Sequence, residues 1–279
     1  MERLVAIGEV QCAPLLKIVK PVDRLLGRLV ARETSPLSDR PQDYVACILA
    51  VRAFRLTVPS IHLALAGYPD ACPNLYRTQW EICMRLLDMA ASPIEGAMGY
   101  LLQGAFEELS TARAEQEDPG DGDVPMDGVS SEVDRLTLRY SELEEHARSL
   151  GLDPEAVRRR HGNLNYRDVC RRFGIERSYL VNYAFSSGFV HEKNWATSAF
   201  VSSPREGERL FELGPLSEAR PEAMADAFRL ALVALSVAAG IVGDEALATE
   251  AEAIIGGLDR RTLSAIERLQ RGGRAGGVT

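Results

Sequence analysis

From Leu15 to Leu29, apolar side chains fall at Leu15, Leu16, Val19, Val22, Leu25, Leu26 and Leu29, steps of three and four that put them on one face of a helix. The same period returns in one long segment after another, and this excludes most sheet architectures. Aromatic residues make up only 6% of the chain, and the segments are rich in Ala, Leu, Arg and Glu, which favour helices over strands. The expected fold is all-α, a multi-helix bundle with long antiparallel helices.

Glycine and proline mark the joints. A helix is expected from about residue 42 to 67, kinked at Pro59, and GYPDACP then stops it before another runs over about 71–91. Ser92-Pro93 starts the next, with Pro93 suited to its first turn. Glu115 to Glu132 holds seven acids, three glycines and two prolines with no Lys or Arg, so a mobile acidic loop is expected over 115–132. A charged amphipathic helix follows from Val133 to Leu150, and short helices are expected within 162–174 and 179–191. Residues 193–220 form a polar connection. A C-terminal helix pair over 221–270 completes the core or makes a dimer contact, and 271–279 is a disordered tail. All of 1–270 is expected as a single helical domain.

The net charge of −8 rules out a surface that is polyanion-binding throughout, so any nucleic-acid site must be local. Five scattered cysteines without a CxxC suggest neither a disulfide framework nor a zinc knuckle. The N-terminus carries acids where a signal peptide needs a basic start. The longest apolar run, Leu230 to Gly243, is 14 residues, against about 20 for a bilayer span. A cytoplasmic protein without a membrane segment is expected.

Two helical stripes stand out. In NYAFSSGFVHEKNW, Tyr183, Ser187 and His191 lie at four-residue intervals, placing two hydroxyls and an imidazole along one face. Their structural reading is a packed helix with a capping histidine. In LYRTQWEICMRLLD, Arg77, Glu81, Arg85 or Met84, and Asp88 recur at helical spacing. The segment from Arg148 to Arg177 carries eight arginines and four acids, densest at RRRH. Arg158, Arg159, Arg160, Arg171 and Arg172 are its nucleic-acid-binding candidates, although only Tyr166 and Phe173 are interleaved for base stacking.

Nucleophile-elbow, phosphate-loop, HExxH and dinucleotide motifs are absent, and so are the paired ExxH motifs of a di-iron bundle. Glu142 with His146 is half a metal site without its other half, and the acidic loop lacks the DxDxDG calcium spacing. No metal and no cofactor are expected.

The stretch AVRAFRLTVPSIHLALAGYPDACPNLYRTQWEICMRLLDMA resembles the helical hairpin of the bacterial domain-of-unknown-function family 5677, and NYRDVCRRFGIERSYLVNYAFSSGFVH resembles its second landmark. The resemblance covers about 45–195. It implies an all-helical bundle and marks Arg77, Glu81, Tyr183, Ser187 and His191 as the family-like positions. Such bundles are compared with HEPN helical ribonucleases and antiphage defence toxins, which cleave RNA without metal, normally as dimers. Under that reading His191 is acid/base, Arg77 or an arginine of the patch stabilises the phosphate, and Tyr183, Ser187 and Glu81 position the substrate. No Arg stands five to seven residues before His191, as a HEPN Arg-x4-6-His motif requires. That spacing occurs at Arg55–His62 and Arg139–His146, but about 1.2 matches arise by chance in such a composition. The implied function is a defence or toxin-like ribonuclease acting on RNA, as a homodimer or with a co-encoded protein. The alternative is a non-enzymatic helical scaffold or sensor, whose polar stripes fix helix register and which acts through protein–protein contacts.

Overall fold

The computed structural model describes residues 12–68, 71–117, 126–180, 201–202, 210–211 and 221–275. The fold is all-α, with helices Ala13–Leu16, Val19–Val30, Pro41–Leu65, Cys72–Ala91, Pro93–Glu117, Met126–Ser149, Pro154–Val157, Tyr166–Arg172, Glu176–Ser178, Pro221–Val242 and Glu245–Ala275. A π-helical turn occupies Arg158–Gly162. In the expected polar connection, Val201–Ser202 pairs antiparallel with Leu210–Phe211. By their contacts the residues divide into two compact units. One comprises Met1–Arg32, Cys47–Leu86 and Tyr166–Thr279; the other comprises Glu33–Ala46 and Leu87–Asn165. The single domain expected over 1–270 is therefore described unit by unit.

In the first unit the Pro221–Val242 and Glu245–Ala275 helices form an antiparallel hairpin. Gly243 makes its turn at φ 79°, a left-handed conformation that glycine adopts without a Cβ penalty. Asp244 then caps the second helix, accepting from the Leu247 amide at 3.0 Å. It also receives Arg32 at 3.0 Å, while Arg28 reaches Glu250 at 2.5 Å. These bonds fasten the Val19–Val30 helix, which buries Val22, Leu25 and Leu29, to the hairpin.

Deeper in the same unit, Gln79 is fully buried, and its Nε2 reaches Ala53 O at 3.0 Å, Thr57 Oγ1 at 2.9 Å and Ala227 O at 3.3 Å. One amide thus links three helices, although its Oε1 has no partner. Tyr76 donates to the Ala223 carbonyl and Cys83 to that of Leu230. Trp80 is a core residue, edge-on to Tyr166 with ring centroids 5.7 Å apart. Pro59 lies inside the Pro41–Leu65 helix as expected. It sits on the exposed side, where water can take the place of the amide that proline cannot offer to Arg55.

In the second unit the Pro93–Glu117 and Met126–Ser149 helices pack as a hairpin around Leu109, Ala112 and Leu136, flanked by Val133 and Tyr140. Gly151 ends the second of these helices at φ 78°. Asp153 caps the next, accepting from the amides of Glu155 at 3.0 Å and Ala156 at 3.3 Å. His146 Nε2 lies 3.0 Å from the Ser38 carbonyl and so donates to it. Among the described residues no group of three or more His, Cys, Asp or Glu could hold a metal ion.

Two expected boundaries move. Residues 115–117 and 126–132, expected in the acidic loop, are helical, while 118–125 lie outside the described residues. Residues 271–275, expected in the tail, continue the last helix, and 276–279 lie outside. The Pro41–Leu65 and Pro221–Val242 helices are long and apolar enough to cross a membrane, with mean hydropathy 1.5 and 1.8 in their most apolar windows. Core helices meet the same criterion, and Arg52 and Arg55 are exposed on the first. At a bilayer centre each would cost about 2.5–3.5 kcal/mol.

All five cysteines are buried, and burial pushes the Cys83 thiol up to about 12 and that of Cys12, aided by Glu222, up to about 11. Since the thiolate is the reactive form, native protein at mildly alkaline pH should resist iodoacetamide, and all five thiols should react in denaturant; mass spectrometry counts the adducts. The Asp244 carboxyl is held below the usual carboxylate range, first by the Leu247 amide and then by Arg32 and Arg28. Its stabilisation is present above the unfolded-state pKa and is lost as pH falls through the lower folded value. Asp244→Ala should cost about 1 kcal/mol at neutral pH and Asp244→Asn less, because asparagine still caps. In urea titrations the gap between wild type and Asp244→Ala should close on acidification.

Candidate functional site

The Cys72–Ala91 helix sets out the first stripe. Arg77 and Glu81 are one turn apart, and Arg77 Nε lies 3.1 Å from Glu81 Oε1, with side chains 21% and 27% exposed. Such a partly screened pair contributes little to stability, about 0.3–0.5 kcal/mol at helical i,i+4 spacing.

Asp88, further along the same helix, behaves differently. It is buried, as is His161, and its Oδ2 lies 2.9 Å from His161 Nδ1 with side chains 2% and 3% exposed. A carboxylate at that distance requires the proton on Nδ1, so the imidazole donates and its tautomer is fixed. Taking these groups out of water is costly, and losing either partner removes a bond that offsets that cost.

The means of holding His161 there is the π-helical turn Arg158–Gly162. One extra residue per turn lets the chain press against the Pro93–Glu117 helix. A Cβ on Gly99 would lie 2.5 Å from His161 Cβ and 2.9 Å from the Val157 carbonyl oxygen, and one on Gly162 would lie 2.8 Å from Gln103 Cβ. Gly99 thus lets main chain meet main chain, and Gly162 makes room for the Gln103 side chain. Gly96 repeats the device, since a Cβ there would lie 2.8 Å from Met89 Cα. Around the turn, Arg158 stacks 4.2 Å above the Phe106 ring, reaches Glu155 at 2.8 Å and donates to Gln103 Oε1 at 3.3 Å. Gln103 Nε2 in turn donates to Glu107 at 2.7 Å. Arg159 takes the other oxygen of Glu155 at 2.6 Å. Arg158 first, and Arg159 second, hold the Glu155 carboxyl below its ordinary range.

The five arginines nominated for nucleic-acid binding do not form one cluster within a unit. Arg158, Arg159 and Arg160 belong to the second unit, and Arg171 and Arg172 to the first. Arg171 pairs with Asp168 at 2.8 Å; Arg160 and Arg172 are exposed. Tyr183, Ser187 and His191 lie outside the described residues. Of the proposed catalytic set, Arg77 and Glu81 are thus brought together.

Sequence spacing missed the Asp88–His161 contact. Asp88 was visible on its stripe and His161 in RRRH, but 73 residues separate them, and no local period links such positions. The signal within reach was Gly99, an interior helix glycine that costs about 0.5–1 kcal/mol relative to alanine unless close packing requires it.

Asp88→Ala should destabilise the protein by about 3 kcal/mol, against less than about 1 kcal/mol for Arg77→Ala. The double variant Asp88→Leu/His161→Leu should cost less than the sum of its single changes, a coupling that denaturant unfolding measures. Gly99→Ala should lower stability, because the added methyl meets backbone as well as His161 Cβ.

No curated protein and no solved structure gives a significant match to the chain. A family model described as "Family of unknown function (DUF5677)" matches residues 43–209, more than half of the chain, which takes in the Arg77–Glu81 pair, Asp88 and the π-helical turn. On that match, the protein belongs to this family of unknown function.

Proposed function

We propose that this chain is a non-enzymatic helical scaffold or sensor of the cytoplasm, acting through protein–protein contacts. The observation that supports the reading is where the nominated charges direct their hydrogen bonds. Arg158, Arg159 and Arg171 are engaged with Glu155 and Asp168, Arg77 with Glu81, and the His161–Asp88 pair is sealed from solvent. A phosphate site needs guanidinium donors aimed outward in a fork, and a general base needs reach to a substrate proton. Groups that satisfy one another instead fix helix register, a role that polar contacts in packed helices are known to serve.

The competing reading is a HEPN-like, metal-independent ribonuclease of the defence or toxin type, with His191 as acid/base. Incubating the full-length protein with total RNA separates the two. Wild type, His191→Ala and Arg77→Ala should all leave the RNA intact. Cleavage by wild type that disappears with His191→Ala would overturn the non-enzymatic reading.

A further inference from the structure

We propose that the outward face of the Pro41–Leu65 helix, between Ile48 and His62, docks an acidic amphipathic helix of a partner protein; this rests on the non-enzymatic reading and names the surface it would use. Ile48, Arg52, Arg55, Val58 and His62 follow one another at steps of three and four, so they share one face. All are exposed, Ile48 at 38% and Val58 at 44%. The opposite face, with Leu49, Ala53, Thr57 and Ser60, is buried within its unit. The outward stripe is therefore ordered by packing behind it, runs for about 21 Å at 1.5 Å per residue, and alternates apolar and cationic groups.

Its charge is what specifies the partner. No acid occurs between residues 44 and 65, and Asp43, at the start of the helix, is paired with Arg40 at 3.0 Å. Among the described residues neither Arg52 nor Arg55 has an acidic partner, whereas Arg28, Arg32, Arg77, Arg158 and Arg229 each do. In a chain whose acids outnumber its Lys and Arg by 40 to 32, two neighbouring guanidinium groups directed outward beside Ile48 and Val58 form a local field of opposite sign to the whole.

The complementary surface is a helix with apolar residues at i, i+3 or i+4, and i+7, flanked by Asp or Glu, so that aliphatic contacts are dry and each guanidinium meets a carboxylate. A second copy of the chain fits poorly, because a two-fold axis near Arg52 and Arg55 sets cation against cation. RNA would leave Ile48 and Val58 without apolar partners.

The test uses the full-length protein and two labelled helical peptides of about 18 residues, roughly five turns, carrying the same leucine stripe with either glutamate or lysine at the remaining positions. Fluorescence anisotropy should show binding of the glutamate peptide, weakened by added salt, and none of the lysine peptide. Arg52→Glu/Arg55→Glu should weaken it about tenfold or more, a change of about 1.4 kcal/mol or more, with an unchanged Tm because both sites are exposed. Equal binding of both peptides would overturn the proposal, as would binding indifferent to the double variant. So would a change in oligomeric state caused by that variant, or Arg52- and Arg55-dependent binding to phosphatidylserine vesicles or single-stranded RNA that exceeds binding to the glutamate peptide. The outcomes stay separate from those above: His191-dependent RNA cleavage with intact peptide binding removes the non-enzymatic reading alone, and inert RNA with no peptide binding removes the docking surface alone.

Discussion

A carboxylate and an imidazole shut away from water have to find each other, and the second unit is arranged around that requirement. Asp88 and His161 meet at 2.9 Å with almost no exposure. Their contact brings the end of the Cys72–Ala91 helix to the π-helical turn. The turn can approach because Gly99 and Gly162 have no side chains in the way. On the same turn Arg158 joins Gln103 to Glu155, a separate polar chain at the surface side. A side chain on Gly99 would displace His161 and with it the bond to Asp88.

The first unit solves the same problem with neutral groups. Gln79, Thr57, Tyr76 and Cys83 bond to helix carbonyls rather than to charges, and the charged residues Arg28, Arg32, Asp244 and Glu250 stay at the rim. Buried amides and hydroxyls cost less to desolvate than ions, which is why the described core of this unit can close with neutral bonds.

Much of the architecture was legible in the sequence because it depends on local rules. Pro41–Leu65, Cys72–Ala91 and Pro93–Glu117 follow from apolar spacing, from the break at Gly67 and from Pro93 in a first turn. The acidic loop was drawn too wide, since acids and glycines near 115–117 and 126–132 proved compatible with exposed helix ends. The π-helical turn was hidden, because RRRHG differs from an α-helical segment only in what it packs against. Of the candidate site, Arg77–Glu81 was legible as a spacing of four, whereas Asp88–His161 depends on a meeting between distant segments that no period encodes. The run of arginines in sequence likewise does not reveal which of its members pair locally, as Arg158 and Arg159 do with Glu155 and Arg171 does with Asp168.

Asp88 holds the proton of His161 on Nδ1 in a site closed to water. Nitrogen-15 NMR of the histidine side chains tests it directly. His161 Nδ1 should be protonated, with a hydrogen that exchanges slowly with solvent and becomes fast-exchanging in Asp88→Asn. An unprotonated Nδ1, or a proton there exchanging as freely as in an exposed imidazole, would contradict it.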